Sequence, residues 1–64
     1  MEMLYQSQFN KEYEKYIDNN NIVAFNHCMN IVMYNVNAFH LTIEQAEEEL
    51  KNNYRKHLEF MGLK

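Results

Sequence analysis

The stretch Asn21–Leu41, NIVAFNHCMNIVMYNVNAFHL, decides the fold. It holds no Pro and no Gly, and its polar residues are isolated Asn and His. Apolar residues recur at helical spacing, so the pattern predicts one long helix. Phe25, Cys28, Met29, Val32, Met33, Val36 and Phe39 form a continuous stripe, while Val23, Ile31, Tyr34 and Ala38 form a weaker one on roughly the opposite side. Two apolar faces need two things to pack against. The flanking segments cover one. The second stripe, with Phe60 and Leu63 near the C-terminus, is expected either to meet a partner or to be buried by sandwiching the helix between its neighbours.

Asp18-Asn19-Asn20-Asn21 is the clearest break in the chain. Asn tolerates the left-handed conformation and caps helices, so these residues replace the glycines the chain lacks. A tight turn here sends the chain back antiparallel, with Asn20 or Asn21 capping the middle helix. Upstream, residues 7–18 read as a first helix with Ser7 as its N-cap. Phe9, Tyr13, Tyr16 and Ile17 share one face, which Tyr5 extends backwards; Lys11, Glu12, Glu14 and Lys15 fill the other. A tyrosine has a polar tip that needs water or a hydrogen bond. Three of them on one stripe mark either helix-edge packing or a partly wet groove or interface.

Downstream, Thr42-Ile43-Glu44-Gln45 matches the capping box, and Leu41 can staple onto Ala46. Ile43, Ala46, Leu50, Tyr54, Leu58 and Met61 then form a narrow stripe with His57 at its edge. Glu47 and Lys51, and Arg55 and Glu59, are spaced as i,i+4 pairs. Gly62 stands where a helix-ending glycine belongs. The expected fold is all-α: a small three-helix bundle with helices at about 7–18, 21–40 and 43–61, one helical domain over residues 1–64, with dimerisation as a means of completing its core.

Bulk properties narrow the function. A chain of 64 residues has a marginal core and commonly needs a disulfide, a metal or a partner. Cys28 is its single cysteine, so no intrachain disulfide forms. A lone Cys and no signal-peptide pattern fit a reducing, cytoplasmic setting. The formal charge of −3 argues against nucleic acid, which needs clustered Lys and Arg. Glu47-Glu48-Glu49 near a helix start favours the helix dipole and is too short a run for a DNA mimic. Six Asn and His residues keep residues 22–41 from being a membrane span. Abundant Asn, Lys, Ile and Tyr point to an AT-rich genome, such as that of a low-GC bacterium or its phages and plasmids.

No catalytic constellation, phosphate loop or cofactor motif stands out, and no motif is specific to a family. Cys28 lies on the apolar stripe, where a thiol behaves as a small hydrophobe. His27, His40 and His57 lack metal-ligand spacing. A helix-turn-helix would open its recognition helix with Glu44, Glu47, Glu48 and Glu49, which phosphates repel. The function that remains is a non-enzymatic regulator or inhibitor that occludes a larger host or defence protein and is encoded by a phage or mobile element. The surface expected to carry it comprises Val23, Ile31, Tyr34 and Phe60. A self-assembling regulatory homodimer is the second reading, and a minimal nucleic-acid binder the third.

Overall fold

The computed structural model describes residues 2–62. They form α1 (Gln6–Asn19), α2 (Ile22–Phe39) and α3 (Ile43–Met61). The chain runs up, down and up. α2 packs on both neighbours, and α1 also touches α3. This is the expected all-α three-helix bundle. Leu63 lies outside the described residues.

Capping chemistry sets most boundaries. Asn20 takes the left-handed conformation at φ 55°, and its N–H donates to the Tyr16 carbonyl at 2.7 Å. The Asn21 side chain then caps α2 by accepting from the Ala24 N–H at 3.2 Å. Thr42 and Gln45 close the capping box with reciprocal bonds of 3.0 Å each. Gly62 ends α3 at φ 73°. The end of α2 has neither Gly nor Asn. His40 adopts φ 56° instead, and the Leu41 N–H closes onto the Val36 carbonyl at 3.2 Å. Leu41 and Val36 both rest on the core, the apolar contact that accompanies such a turn.

α1 departs from expectation at its start. Ser7 lies inside the helix rather than capping it, and the preceding residue, Tyr5, sits in the left-handed region at φ 57° with no capping side chain. The cause lies in α2. Asn35 is wholly buried, and its side-chain amide pairs with the main chain of Leu4. Its Oδ1 accepts from the Leu4 N–H at 2.7 Å, and its Nδ2 donates to the Leu4 carbonyl at 3.1 Å and to the Ile31 carbonyl at 2.8 Å. The N-terminal segment is thus pinned across α2, and Met3 drops into the core. Tyr5 makes the turn back into α1.

Met3, Phe9, Cys28, Ile31, Val32, Ala46, Leu50 and Tyr54 form the core cluster, with Tyr13, Met29, Val36, Leu41 and Leu58 packed around it. Gln6 ties α1 to α3, donating to the Leu50 carbonyl at 3.0 Å and accepting from Asn53 at 3.1 Å. Ile17, Ile43 and Met61, each on a stripe that reads as buried, are about half exposed. All three lie near helix ends, where neighbouring helices give less cover. The Cα radius of gyration is 11.3 Å, close to the roughly 11 Å expected for a folded chain of this length. Exposed apolar side chains therefore belong to a closed globule.

Candidate functional site

The four residues expected to form one surface separate into three groups. Ile31 is buried at 7 % exposure and belongs to the core. The 4-3-4 spacing Ala24, Cys28, Ile31, Asn35 explains this: these four share the face turned inward, all of them buried. Val23 and Tyr34 lie on the outer side, 61 % and 58 % exposed. Phe60, 88 % exposed, stands near the end of α3, on a different helix. Ala38, from the same weak stripe, is exposed as well.

The outer side of α2 has a property visible in the sequence once its orientation is known. From Asn19 to Ile43 there is no Asp, Glu, Lys or Arg. The Asp, Glu, Lys and Arg side chains all belong to the segments before Asn19 and after Ile43. Yet α2 is not an enclosed helix. Ile22, Val23, Asn26, Asn30, Met33, Tyr34 and Asn37 are all exposed on it. Tyr34 is braced by Tyr5, with ring centroids 5.4 Å apart, so the strained turn at Tyr5 also positions an aromatic pair beside this face.

At the border with α1, His27 Nδ1 and Glu12 Oε1 lie 3.1 Å apart, and Lys15 approaches the same carboxylate at 3.7 Å. The His27 hydrogen bond holds the Glu12 carboxyl below its ordinary range, opposed by partial desolvation and helped by Lys15. The Glu12 carboxylate at this border is therefore already partnered.

A second feature lies where α1, α2 and α3 meet. An open pocket of about 120 Å³ is lined by Phe9, Tyr13 and Tyr16 of α1, Phe25, Cys28, Met29 and Val32 of α2, and Glu47 and Lys51 of α3. Its wall is an aromatic ladder: Phe9 stacks on Tyr13 at 5.2 Å, Tyr13 meets Tyr54 edge-on at 5.0 Å, and Tyr16 meets Phe25 at 5.0 Å. Lys51 Nζ lies 6.0 Å from the Tyr13 ring centre, near the outer limit for a cation–π contact. Of the two readings the α1 tyrosines allow, helix-edge packing or a partly wet groove, Tyr13 and Tyr16 here line an open groove; the sequence did not name the residues facing them.

Cys28 forms part of the pocket wall, but its thiol is pushed up to about 11, chiefly by burial, with the Glu12 charge adding and Lys51 opposing. A protonated thiol is a poor nucleophile. Two consequences are measurable. At pH 8 the folded protein should react with a disulfide reagent about 100-fold more slowly than an ordinary cysteine, in proportion to its thiolate fraction. Stability should also fall in alkali: the contribution of a raised pKa is intact below the ordinary value of 9.0 and is lost as pH rises towards about 11. Cys28→Ser should remove that part of the alkaline loss; an unchanged urea midpoint difference between pH 8.5 and 10.5 in the variant would contradict it. Burial likewise raises Tyr54, which adds to the loss at higher pH.

Compared with family models, curated proteins and solved structures, the chain matches none. Among the described residues no three His, Cys, Asp or Glu side chains come together as a metal site. No described helix is long and apolar enough to cross a membrane. The outer face of α2 is the surface whose composition departs furthest from ordinary solvated helix.

Proposed function

We propose that this protein is a small non-enzymatic regulator that binds a larger protein through the outer face of α2 and blocks it by occlusion. The observation that carries this reading is the charge-free run from Asn19 to Ile43, half of whose helix faces solvent. Solvated helix faces carry charge. Interface centres lose it and gain Tyr, Phe and Met. Val23, Met33 and Tyr34 among Asn26, Asn30 and Asn37 fit the second description. The AT-rich composition fits a phage or mobile-element gene acting in the cytoplasm of a low-GC bacterium, on a host or defence protein.

The nucleic-acid alternative gains little from the geometry. Glu44, Glu47 and Glu48 share one side of α3 with Lys51 and Arg55, so that side is mixed in sign rather than basic.

Tyr34→Asp and Val23→Asp should each keep the helical circular dichroism of the parent and weaken capture of the partner from a low-GC bacterial lysate by about 30-fold or more, as for a hot-spot residue. Glu48→Gln, on exposed α3 surface, should leave capture unchanged. Full retention of the partner by both aspartate variants would sink the proposal.

A further inference from the structure

We infer that the open pocket between the three helices is a binding site for a single-ring aromatic carboxylate, of the size of phenylacetate. The site lies apart from the outer face of α2. Phe25 and Met29 stand about a third of a turn or more round the helix from Val23 and Tyr34, so failure of one site leaves the other standing. Size selects the ring. The pocket holds about 120 Å³. That is a little less than the roughly 150 Å³ of an apolar cavity that takes up benzene. Phe9, Cys28 and Val32 on its inner side are all buried. Among the described residues no buried side-chain nitrogen or oxygen lacks a hydrogen bond. The inner end therefore offers nothing to a polar group, and the part of a ligand that enters must be apolar. Tyr13, Tyr16 and Phe25 make the walls. A flat ring can meet such walls edge-to-face, which a branched alkyl group cannot.

Charge selects the acid. Aromatic walls by themselves suit a cation. Here Lys51 Nζ already stands 6.0 Å from the Tyr13 ring centre, so a second cation is repelled. Among the described residues Lys51 has no ion pair: Glu47, one turn earlier on α3, also lines the pocket but does not close onto it. The ammonium is left to pair with a carboxylate at the mouth. Glu47 opposes that anion. Of the two, Lys51 is the one whose charge acts on the Cys28 thiol in the pocket wall. Glu12, whose charge also reaches Cys28, is already shared between His27 and Lys15. About ten heavy atoms in a half-open hollow bind weakly, with a Kd of about 1 mM.

Titration of the isotope-labelled full chain with phenylacetate, followed through its amide resonances, tests this. Phenylacetamide and phenethylammonium keep the ring and replace the acid with a neutral or a cationic group. Phenylacetate should shift the amides around Phe25, Met29 and Lys51 saturably. Its ring protons should show cross-relaxation with the Met29 methyl group. It should bind about 3-fold or more tightly than either analogue, the effect of one exposed ion pair. Lys51→Met should bring acid and amide to within about 2-fold of each other. Cys28→Leu, which fills the inner end, should abolish binding of all three while keeping the parent's circular dichroism. Where that variant loses its helical signal, the Met29 cross-relaxation in the parent decides the location alone. No saturable shift at several times the expected Kd overturns the inference. So does an amide or amine that binds as tightly as the acid, or an acid preference that survives Lys51→Met. Shifts centred on Tyr34 place the ligand elsewhere and overturn it too.

Discussion

Asn35→Leu should lower the unfolding free energy by about 3 kcal/mol, and the loss should begin at the N-terminus. Leucine fits the volume but offers no hydrogen bond. The Leu4 N–H and carbonyl then have two options. They can remain in place unpaired, at about 1–3 kcal/mol each. Alternatively the segment can peel away into water, which gives those two groups new partners and withdraws Met3 from the core at about 1.5–3 kcal/mol. Peeling is the cheaper route. Urea unfolding should show a lower midpoint, the Leu4 amide should exchange rapidly with solvent, and a protease should clip before Gln6 while the three helices persist. Asn35→Asp should be worse at neutral pH, since a carboxylate cannot donate to the Leu4 and Ile31 carbonyls and its charge would be buried. As pH falls and the acid gains a proton, part of its stability should return. An unchanged Leu4 exchange rate in Asn35→Leu would show that the pin does not hold the segment.

Phe9→Ala should cost about 3–5 kcal/mol, the range for removing a buried phenyl ring. Phe9 is 2 % exposed, stacks on Tyr13 and belongs to the core cluster shared by all three helices. It also lines the pocket beside Cys28, so its loss enlarges a hollow that already lacks atoms on one side. A chain of this length is stable by only about 3–10 kcal/mol. The variant should therefore lose a large share of the parent's stability, with a much lower urea midpoint followed by circular dichroism. Phe9→Leu should recover more than half of the loss. Phe60→Ala, the same chemical change at 88 % exposure, should lie within about 0.5 kcal/mol of the parent. A folded Phe9→Ala protein with the parent's midpoint would mean that the core is centred elsewhere.

Much of the architecture can be read from caps and spacing. The Asn20–Asn21 turn, the Thr42–Gln45 box and Gly62 are local devices whose partners lie within a few residues, so the chain announces them directly. Asn35 could not be read this way. In sequence it is one more polar interruption of an apolar helix. Its burial depends on Leu4, which is remote along the chain. The same contact displaced the start of α1 and left Ser7 without a capping role. Ile31 was misassigned because an apolar residue sixty degrees or so from Cys28 fits either stripe on a wheel, and only the position of α1 decides between them. The pocket was not legible: Tyr13 and Tyr16 line it, but their spacing fits plain helix-edge packing as well. The neutrality of α2 was fully legible, but it acquires meaning only once that helix is seen to be exposed.

Photo-crosslinking inside cells reads out whether the outer face of α2 is the working surface. A benzophenone side chain would be placed at position 34 in one protein and at position 48 on α3 in another. Position 34 should give an adduct well above the 7.8 kDa chain mass, from the larger partner. Position 48 should give none. Adducts from position 48 with none from position 34 would contradict that role.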